Sequence, residues 1–121
     1  HQKILNTGKL ELFGSGNESR DYIYIDDLTE AVYLISMDRE KKHTVWNVAN
    51  GTEITIKKVA ETFAEAEHLS RDKIMFSGQI RSGDPVNWCA DISRLRDIGF
   101  KGKVDLYEGI RKYLCWANKV K

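Results

Sequence analysis

The chain has 121 residues, of which 41% are hydrophobic, and nineteen basic against eighteen acidic side chains give it a formal net charge of +1. This size and apolar content fit one compact domain and leave no room for a second complete one. The mixing of basic with acidic residues disfavours a nucleic-acid partner, and no apolar run approaches the ~20 residues of a membrane-spanning helix.

The first third of the chain predicts a strand followed by a helix. The residues before Gly8 can end a helix, and the alternating pattern of 10–13 predicts a short strand that the turn-rich GSGNES closes. Asp27 and Glu30 form a capping box, so we predict a helix from about Leu28 to Met37 with Asp27 as its N-cap. The buried face of this helix would consist of Leu28, Ala31, Val32 and Ile35.

The middle of the chain predicts a second strand and a second helix. Residues 44–49 are rich in β-branched and aromatic side chains and are closed by Asn-Gly, which predicts a strand entering a tight turn. Thr55 is a suitable N-cap, and Ile54 and Val59 occupy the positions of a hydrophobic staple. The apolar stripe of this helix would consist of Val59, Ala60, Phe63 and Ala66 and would end near His68.

Short elements follow in the next part of the chain. Residues 74–76 and 86–90 are strand candidates, and RSGDP between them is a turn. Asp91 is expected to cap a short helix that runs through Ile98. Gly99 stands where a left-handed residue would end that helix.

The last helix begins at a second capping box, formed by Asp105 and Glu108. Its inner face would consist of Leu106, Ile110, Tyr113, Leu114 and Ala117, and a basic tail follows. Strands therefore interleave with helices from end to end, which is typical of the α/β class with short strands.

The cysteines and histidines give no sign of a metal site. Cys89 and Cys115 lie far apart without a C-x-x-C pair, and the three histidines are widely separated. We expect no structural disulfide, and we expect both cysteines to be buried or half-buried. The first residues, HQKILNTGK, lack the apolar centre of a signal peptide, so we expect a soluble, cytoplasmic protein.

The first candidate site is the segment 14–27, in which a Gly-Ser-Gly loop precedes Arg20. The planar guanidinium of arginine can donate two parallel hydrogen bonds to neighbouring phosphate oxygens, so Arg20 suits a diphosphate. The alternative is a surface ion pair between Arg20 and Asp21 or another carboxylate.

The second candidate site is the turn 81–84, which presents Arg81 and Asp84 on one loop. Arg81 can bind a phosphate, while Asp84 can accept hydrogen bonds from ribose hydroxyls, as acidic residues do in dinucleotide-binding folds. The alternative is an ordinary solvated turn, in which the two side chains pair weakly and contribute less than about 1 kcal/mol.

Three phrases carry a family resemblance. They are LELFGSGNESRDYIYIDD at 10–27, VWNVANGTEITIKKVAETF at 45–63 and RSGDPVNWCADISRLRDIGF at 81–100. In order and spacing they resemble the extended short-chain dehydrogenase/reductase family, which includes UDP-galactose epimerases and dTDP-glucose dehydratases. The R-D-Y-I-x-[IV]-x-D phrase is fairly specific, and the R-x-G-D turn followed by D-x-S-[KR] strengthens it. Almost the whole chain is covered.

The resemblance implies that this chain is the C-terminal, substrate-binding part of an NAD-dependent epimerase or dehydratase. The implied fold is α/β, with short mixed sheet elements and three to four helices, as part of an extended Rossmann-type enzyme of carbohydrate biosynthesis. In the family the helix after R-D-Y and the next strand pack onto the cofactor domain, so apolar surface would be exposed here. A homodimer is compatible with that exposure.

The resemblance also implies roles for individual residues. The strand before the arginine would lay backbone groups against the base, with Phe13 offering an aromatic surface. Arg20 and Arg81 would bind the diphosphate, and Asp84 would meet the ribose. The implied substrate-binding residues are Glu11, Leu12, Phe13, Arg20, Arg81 and Asp84, whereas Asp27 and Asp91 match family positions that we interpret as helix caps.

Two family motifs are missing. No G-x-x-G-x-x-G turn follows a strand, so the cradle that holds the pyrophosphate of NAD is absent. There is also no Y-x-x-x-K pair, because Tyr107 precedes Lys112 at the wrong spacing and Tyr113 has Ala117 in the place of lysine. We therefore expect no catalytic residue in 1–121, which would be a nucleotide-sugar-binding fragment that is inactive alone. NAD(P) would be bound mainly by an absent N-terminal Rossmann half.

The implied function is to hold a nucleotide-diphosphate sugar while the missing half oxidises the sugar at C4. A 4-epimerase is narrowly favoured over a 4,6-dehydratase or a 4-reductase. A non-catalytic ligand-sensing or interaction module on the same fold is the alternative from a different class. Neither nucleic acid nor membrane is an expected partner.

Overall fold

The computed structural model of the protein describes residues 8–40, 43–79 and 82–120. The expected helix end before Gly8, and Arg81, lie outside the described residues. The predicted α/β class with short strands is confirmed. In chain order the elements are β1 (Leu10–Leu12), β2 (Ser19–Asp21), α1 (Ile25–Met37), β3 (Glu53–Thr55), α2 (Ile56–Ala66), a 3-10 turn (Arg71–Lys73), β4 (Ile74–Phe76), α3 (Ser93–Asp97) and α4 (Leu106–Lys119).

The described strands form two small sheets. β1 pairs with β4 in parallel, and β2 pairs with β3 in antiparallel orientation. The β1–β4 pairing continues past both strands, because Ser77 N donates to Leu12 O and Gly14 N donates to Gln79 O, each at 2.9 Å. The carboxyl ends of the two parallel strands are therefore held side by side.

The core lies between α1, α3 and the segment 46–49. Leu95 on α3 is fully buried, and its apolar neighbours come from parts of the chain that are far apart in sequence. The buried cluster consists of Ala31, Ala49, Ile92, Leu95 and Phe100. Burial of these side chains supplies the main favourable free energy of folding.

The prediction that Asp27 caps α1 is wrong. The helix begins at Ile25, three residues before the predicted start, and its N-cap residue, Tyr24, makes no side-chain cap hydrogen bond. Asp27 lies inside the first turn, where it is 2% exposed and accepts hydrogen bonds from the backbone amides of Lys103 (3.1 Å) and Val104 (3.0 Å). Its carboxylate therefore joins α1 to the segment before α4 and still favours the positive end of the helix dipole.

The inner face of α1 differs from the prediction at one position. Ala31 is buried and Leu28 and Ile35 are half-buried, but Val32 is 52% exposed. Leu34 packs against the core in its place. Val32 and Leu34 lie about 200° apart around an α-helix. The buried face therefore extends from Ala31 towards Leu34 and not towards Val32.

The predicted caps of α2 and α4 are confirmed. Thr55 Oγ1 accepts a hydrogen bond from Lys58 N at 3.1 Å, and Asp105 Oδ1 accepts one from Glu108 N at 2.8 Å. These bonds satisfy amides that have no partner within the helix. Glu108 forms an ion pair with Lys112 at 3.0 Å, one turn along α4. The predicted inner-face residues are buried or half-buried except Tyr113, which is exposed, but the prediction missed the buried Thr62 and Ala64 of α2.

Two predicted strands are wrong, because neither 44–49 nor 86–90 is a strand in the described part of the chain. The first is held by side chains instead. Asn47 Nδ2 donates to Asp91 O at 3.0 Å, and Arg94 Nη1 donates to Val45 O at 2.7 Å. Residues that favour strands form one only where a neighbouring strand supplies backbone hydrogen-bond partners.

The predicted cap of the short helix is wrong by one residue. α3 begins after Ile92, and Asp91 lies just before that cap residue. Asp91 Oδ1 nevertheless accepts a hydrogen bond from Ser93 N at 2.9 Å, which lowers the pKa of this carboxyl group. Gly99 follows the helix with φ of +91°, which confirms its left-handed conformation.

Both cysteines are free, and both are exposed, so the expectation of buried thiols is wrong. Cys89 lies on the exposed segment 86–89, and Cys115 is an exposed residue of α4. The described residues contain no cluster of histidine, cysteine and carboxylate side chains that could hold a metal ion. Within the same residues, no helix has the length and apolar character needed to cross a membrane.

Candidate functional site

A cleft of about 330 Å³ lies at the carboxyl ends of β1 and β4, the position where α/β sheets commonly bind ligands. It brings together four of the six predicted binding residues, Leu12, Phe13, Arg20 and Asp84. Glu11 is an exposed residue of β1 that does not line the cleft, and Arg81 lies outside the described residues. The other lining residues are Gly14, Ser15, Glu18, Ile56, Gln79 and Val86.

Arg20 is held in place on β2 by main-chain acceptors. Its Nη1 atom donates to Ser19 O at 2.7 Å and to Pro85 O at 2.8 Å. Among the residues that the structure describes it forms no ion pair with Asp21 or with another carboxylate, which contradicts that alternative there. The Nε and Nη2 atoms of Arg20 have no hydrogen-bond partner among the residues that the structure describes. These atoms can donate to a ligand, and the guanidinium needs little further ordering.

The loop after β1 folds around the carboxylate of Glu18. Ser15 N and Gly16 N donate to this carboxylate at 2.9 and 2.8 Å, and Ser15 Oγ donates at 3.1 Å. These donors lower the pKa of Glu18. Successive loop amides can form a nest for an anion, but here the chain's own carboxylate occupies it. A phosphate in the cleft therefore depends on side-chain donors.

Gly14 is required by the geometry of this loop. Its φ is +81°, and a Cβ atom at this position would lie 2.7 Å from Glu18 Oε2. An L-residue would be strained in backbone conformation and would collide with the carboxylate. The glycine therefore allows the loop to close tightly around Glu18 at the edge of the cleft.

The remaining walls of the cleft combine one aromatic ring with polar groups. Phe13 is 53% exposed and offers the ring. Gln79 is fixed through its backbone carbonyl, which accepts from Gly14 N at 2.9 Å. The predicted turn before Asp84 is present at 82–83, where Gly83 has φ of +87°. Cation, carboxylate and aromatic groups thus line one concave surface.

Asp21 is a residue of this region that the sequence analysis considered only as an ion-pair partner of Arg20. Its Oδ1 atom accepts from Asn50 N at 2.9 Å, and its Oδ2 atom accepts from Gly51 N at 3.0 Å and from Ala90 N at 3.1 Å. The sequence contained one signal for such a role: Asp21 stands next to a strand-like run. Aspartate is depleted in strands, so an aspartate there is expected to have a specific partner. Its partners come from distant parts of the chain, so the sequence could not identify them.

A larger apolar groove, of about 600 Å³, lies between residues 22–25, α2 and α4. Burial raises the pKa of Tyr22 there, partly opposed by the charge of Arg20. The groove is lined mainly by apolar and aromatic side chains and contains no guanidinium. An anionic ligand requires donors, so the smaller cleft, which contains Arg20, is the better candidate for such a ligand.

Comparison with known proteins identifies relatives of this chain. Residues 1–49 match the model of the NAD dependent epimerase/dehydratase family. Probable GDP-L-fucose synthase 1 of Oryza sativa subsp. japonica is 31% identical over 114 residues, which cover 94% of this chain and 34% of that protein. The dTDP-4-dehydro-6-deoxyglucose reductase of Escherichia coli is 33% identical over 118 residues, which cover 93% of this chain and 35% of that protein.

The fold is similar to that of solved structures. The UDP-glucose 4-epimerase of Thermotoga maritima, solved with UDP-glucose, has a TM-score of 0.82 and 25% sequence identity, over 98% of this chain and 38% of that chain. The chain thus spans about a third of the length of the proteins that it matches. These comparisons confirm the family resemblance and the Rossmann-type α/β fold that the three sequence phrases implied.

Proposed function

We propose that this chain holds the nucleotide diphosphate of a nucleotide sugar. The proposal is supported by its similarity to NAD-dependent epimerases and dehydratases of the extended short-chain dehydrogenase/reductase family. One observation carries this proposal. Arg20 and Asp84, which come from separate segments, line one cleft together with Leu12 and Phe13. A guanidinium, a carboxylate and an aromatic surface match the diphosphate, the ribose and the base of such a ligand.

The diphosphate is held by arginine side chains in this proposal. Arg20 uses Nη1 to bind Pro85 O and keeps Nε and Nη2 for phosphate oxygens. Arg81, three positions before Asp84 in the sequence, is the second proposed diphosphate residue. Two guanidinium groups can neutralise the charge of a diphosphate and bind its oxygens in pairs.

The nucleoside is held by the other side of the cleft. Asp84 accepts hydrogen bonds from the ribose hydroxyls, since an ionised carboxylate offers only acceptors. Phe13 presents its ring to the base, and the backbone of 12–13 lies along the base edge. Stacking and backbone contacts tolerate different bases, so the base is left open.

The sugar chemistry belongs to the longer protein. NAD(P), bound mainly by residues outside this chain, would supply the hydride transfer at C4 of the sugar. The residues described here contribute remote binding energy, which keeps the sugar in place for that reaction. We expect the 121 residues alone to show no turnover.

A 4-epimerase is the first choice among the reactions, narrowly, because the fold matches that of a UDP-glucose 4-epimerase. A 4-reductase is the second, because one relative at 33% identity is a dTDP-4-dehydro-6-deoxyglucose reductase. A 4,6-dehydratase is the third. Chromatography with mass detection separates the three when the full-length protein is incubated with UDP-, GDP- and dTDP-sugars, and with their 4-keto derivatives plus NAD(P)H. A dehydratase product loses water, a reductase product gains two hydrogens from NAD(P)H, and an epimerase product keeps its mass but changes its retention time.

A non-catalytic ligand-sensing module would bind nucleotide diphosphates without converting any sugar. The coding sequence before His1 distinguishes this alternative. A glycine-rich NAD motif and a Y-x-x-x-K pair there support an enzyme, and their joint absence supports the sensing module.

Replacement of Arg20 tests the binding role directly. In the full-length protein, Arg20→Ala should weaken the binding of UDP, GDP or dTDP, whichever the parent binds, by about ten- to a hundredfold, because charge-assisted hydrogen bonds are lost. Calorimetric titration measures this change. Arg111→Ala is the matched control, since Arg111 is an exposed residue of α4 that stacks on Tyr107 away from the cleft. Equal affinity of the parent and both variants would refute the proposed role of Arg20.

A further inference from the structure

We infer that Asp21 is the positioning residue of the cleft, because it fixes the segment that carries Asp84 against the strand that carries Arg20. This inference rests on the proposed function. Asp21 does not line the cleft itself. It acts through the main-chain amides that its carboxylate binds.

The segment after Asp84 follows β2 through a series of contacts. Pro85 O accepts from Arg20 Nη1 at 2.8 Å, and Val86 O accepts from Ser19 N at 2.9 Å. Ser19 Oγ donates to the carboxylate of Glu53 and lies 3.4 Å from Asn87 Oδ1. Three successive residues, 85–87, therefore contact Arg20 and Ser19 of β2.

Asp21 secures the far end of this segment. Its carboxylate accepts from Ala90 N at 3.1 Å and also binds the Asn50–Gly51 turn through both backbone amides. Gly51 adopts φ of +72° with its Cα close to Ile92 of the core, which a Cβ atom would strike. One half-buried carboxylate therefore fastens β2, the turn and residue 90 to a part of the molecule that packs tightly.

The alternation of side chains along β2 explains the consequence for the cleft. Successive side chains of a strand lie on opposite faces, so Arg20 lies on the face opposite that of Ser19 and Asp21. β3 pairs with the other edge of β2 and prevents it from moving away. With residue 90 fixed by Asp21 and residue 85 bound to Arg20, the position of Asp84 relative to the guanidinium is set.

A matched control separates positioning from general stabilisation. Asp27 is also a carboxylate that accepts two backbone amides, those of Lys103 and Val104, but it lines no part of the cleft. Asp21→Asn and Asp27→Asn remove the same charge and the same kind of acceptor. Both variants should lower the unfolding temperature of the full-length protein, and only the first should change ligand binding.

The measurement compares two ligands at a temperature where every variant is folded. UDP, or GDP or dTDP if the parent prefers them, spans Arg20 and Asp84, whereas inorganic pyrophosphate reaches only the arginine side. Asp21→Asn should weaken nucleotide binding about tenfold, since a displacement of about 1 Å has effects of this order or larger. Pyrophosphate binding should change less than twofold. Asp27→Asn should leave both affinities at the parent value.

The outcomes are distinct. Nucleotide affinity that is unchanged in Asp21→Asn, or reduced equally in both variants, overturns the positioning role while leaving the proposed function intact. Unchanged affinity in Arg20→Ala would instead overturn the proposed function. Asp21→Glu keeps the charge but moves the carboxylate oxygens away from their amide donors by the length of one methylene group. It therefore provides the same binding test if Asp21→Asn does not fold. If neither Asp21 variant folds while Asp27→Asn does, Asp21 is a folding residue and the inference is wrong.

Discussion

At the scale of single residues, carboxylates join parts of the chain that no ladder connects. Glu18, Asp21 and Asp27 each accept hydrogen bonds from two or more backbone amides. Bonds to an ionised acceptor are stronger than those between neutral groups. These three side chains are therefore committed to the fold, whereas Arg20 and Asp84 keep groups that can meet a ligand.

The sequence predicted that Arg20 and Asp84 belong to one binding site, because each lies in a short, specific phrase of the family resemblance. It did not predict the roles of Glu18 and Asp21, for two different reasons. Glu18 accepts from a loop whose closure depends on the left-handed conformation of Gly14. Asp21 binds amides of residues 50, 51 and 90, and such long-range partners leave no local pattern.

The carboxylate of Glu18 gives the loop after β1 a dependence on pH. Its backbone donors lower the folded-state pKa below the ordinary value of 4.5. The stabilisation is therefore present above the unfolded-state pKa and is lost as the pH falls through the lower folded-state pKa. Glu18→Gln should reduce the unfolding temperature at pH 7, and this difference from the parent should shrink as the pH falls below 4.5. Thermal scans of both proteins across this pH range measure the difference in unfolding temperature. A difference that is equal at every pH would contradict the stabilising role of the Glu18 carboxylate.

At the scale of elements, the sequence predicted the caps of α2 and α4 and the strands near 10–12 and 74–76, but it did not predict β2 or β3. Thr55 and Asp105 cap their helices within three residues, so the sequence contains the whole interaction. The first helix was placed too late because Asp27 resembles a cap locally but binds the segment before α4. β2 has the sequence Ser-Arg-Asp, which favours no strand by itself, and it exists because β3 and residue 86 pair with it.

The cap of α2 allows a test of stability at this scale. Thr55→Ala removes the acceptor for Lys58 N and should lower the free energy of unfolding by about 1 kcal/mol. Thr52→Ala is the control, because Thr52 is exposed and makes no hydrogen bond with the described residues. Urea titration of the two variants and the parent gives the free energies. Equal values for the two variants would show that the cap contributes nothing measurable.

At the scale of the whole molecule, much apolar surface is exposed. Trp116 and Tyr113 lie along the large groove, and α1 presents Ile25, Tyr33 and Met37 outwards. Large exposed apolar patches are typical of surfaces that contact other parts of a protein or other subunits. The expectation that a cofactor domain covers this surface, or that a homodimer forms, stays a prediction. The α/β class and the family resemblance were predictable from motifs, but the pairing of strands into two sheets was not, because every pairing is long-range.

The central claim is that the cleft between Arg20 and Asp84 holds the diphosphate and ribose of a nucleotide sugar. A crystal structure of the full-length protein with UDP, GDP or dTDP, whichever titration shows to bind, tests it most directly. We predict phosphate oxygens within hydrogen-bonding distance of the Arg20 guanidinium and ribose hydroxyls at the Asp84 carboxylate. A nucleotide bound elsewhere, such as in the apolar groove between α2 and α4, with the cleft empty, would contradict the account.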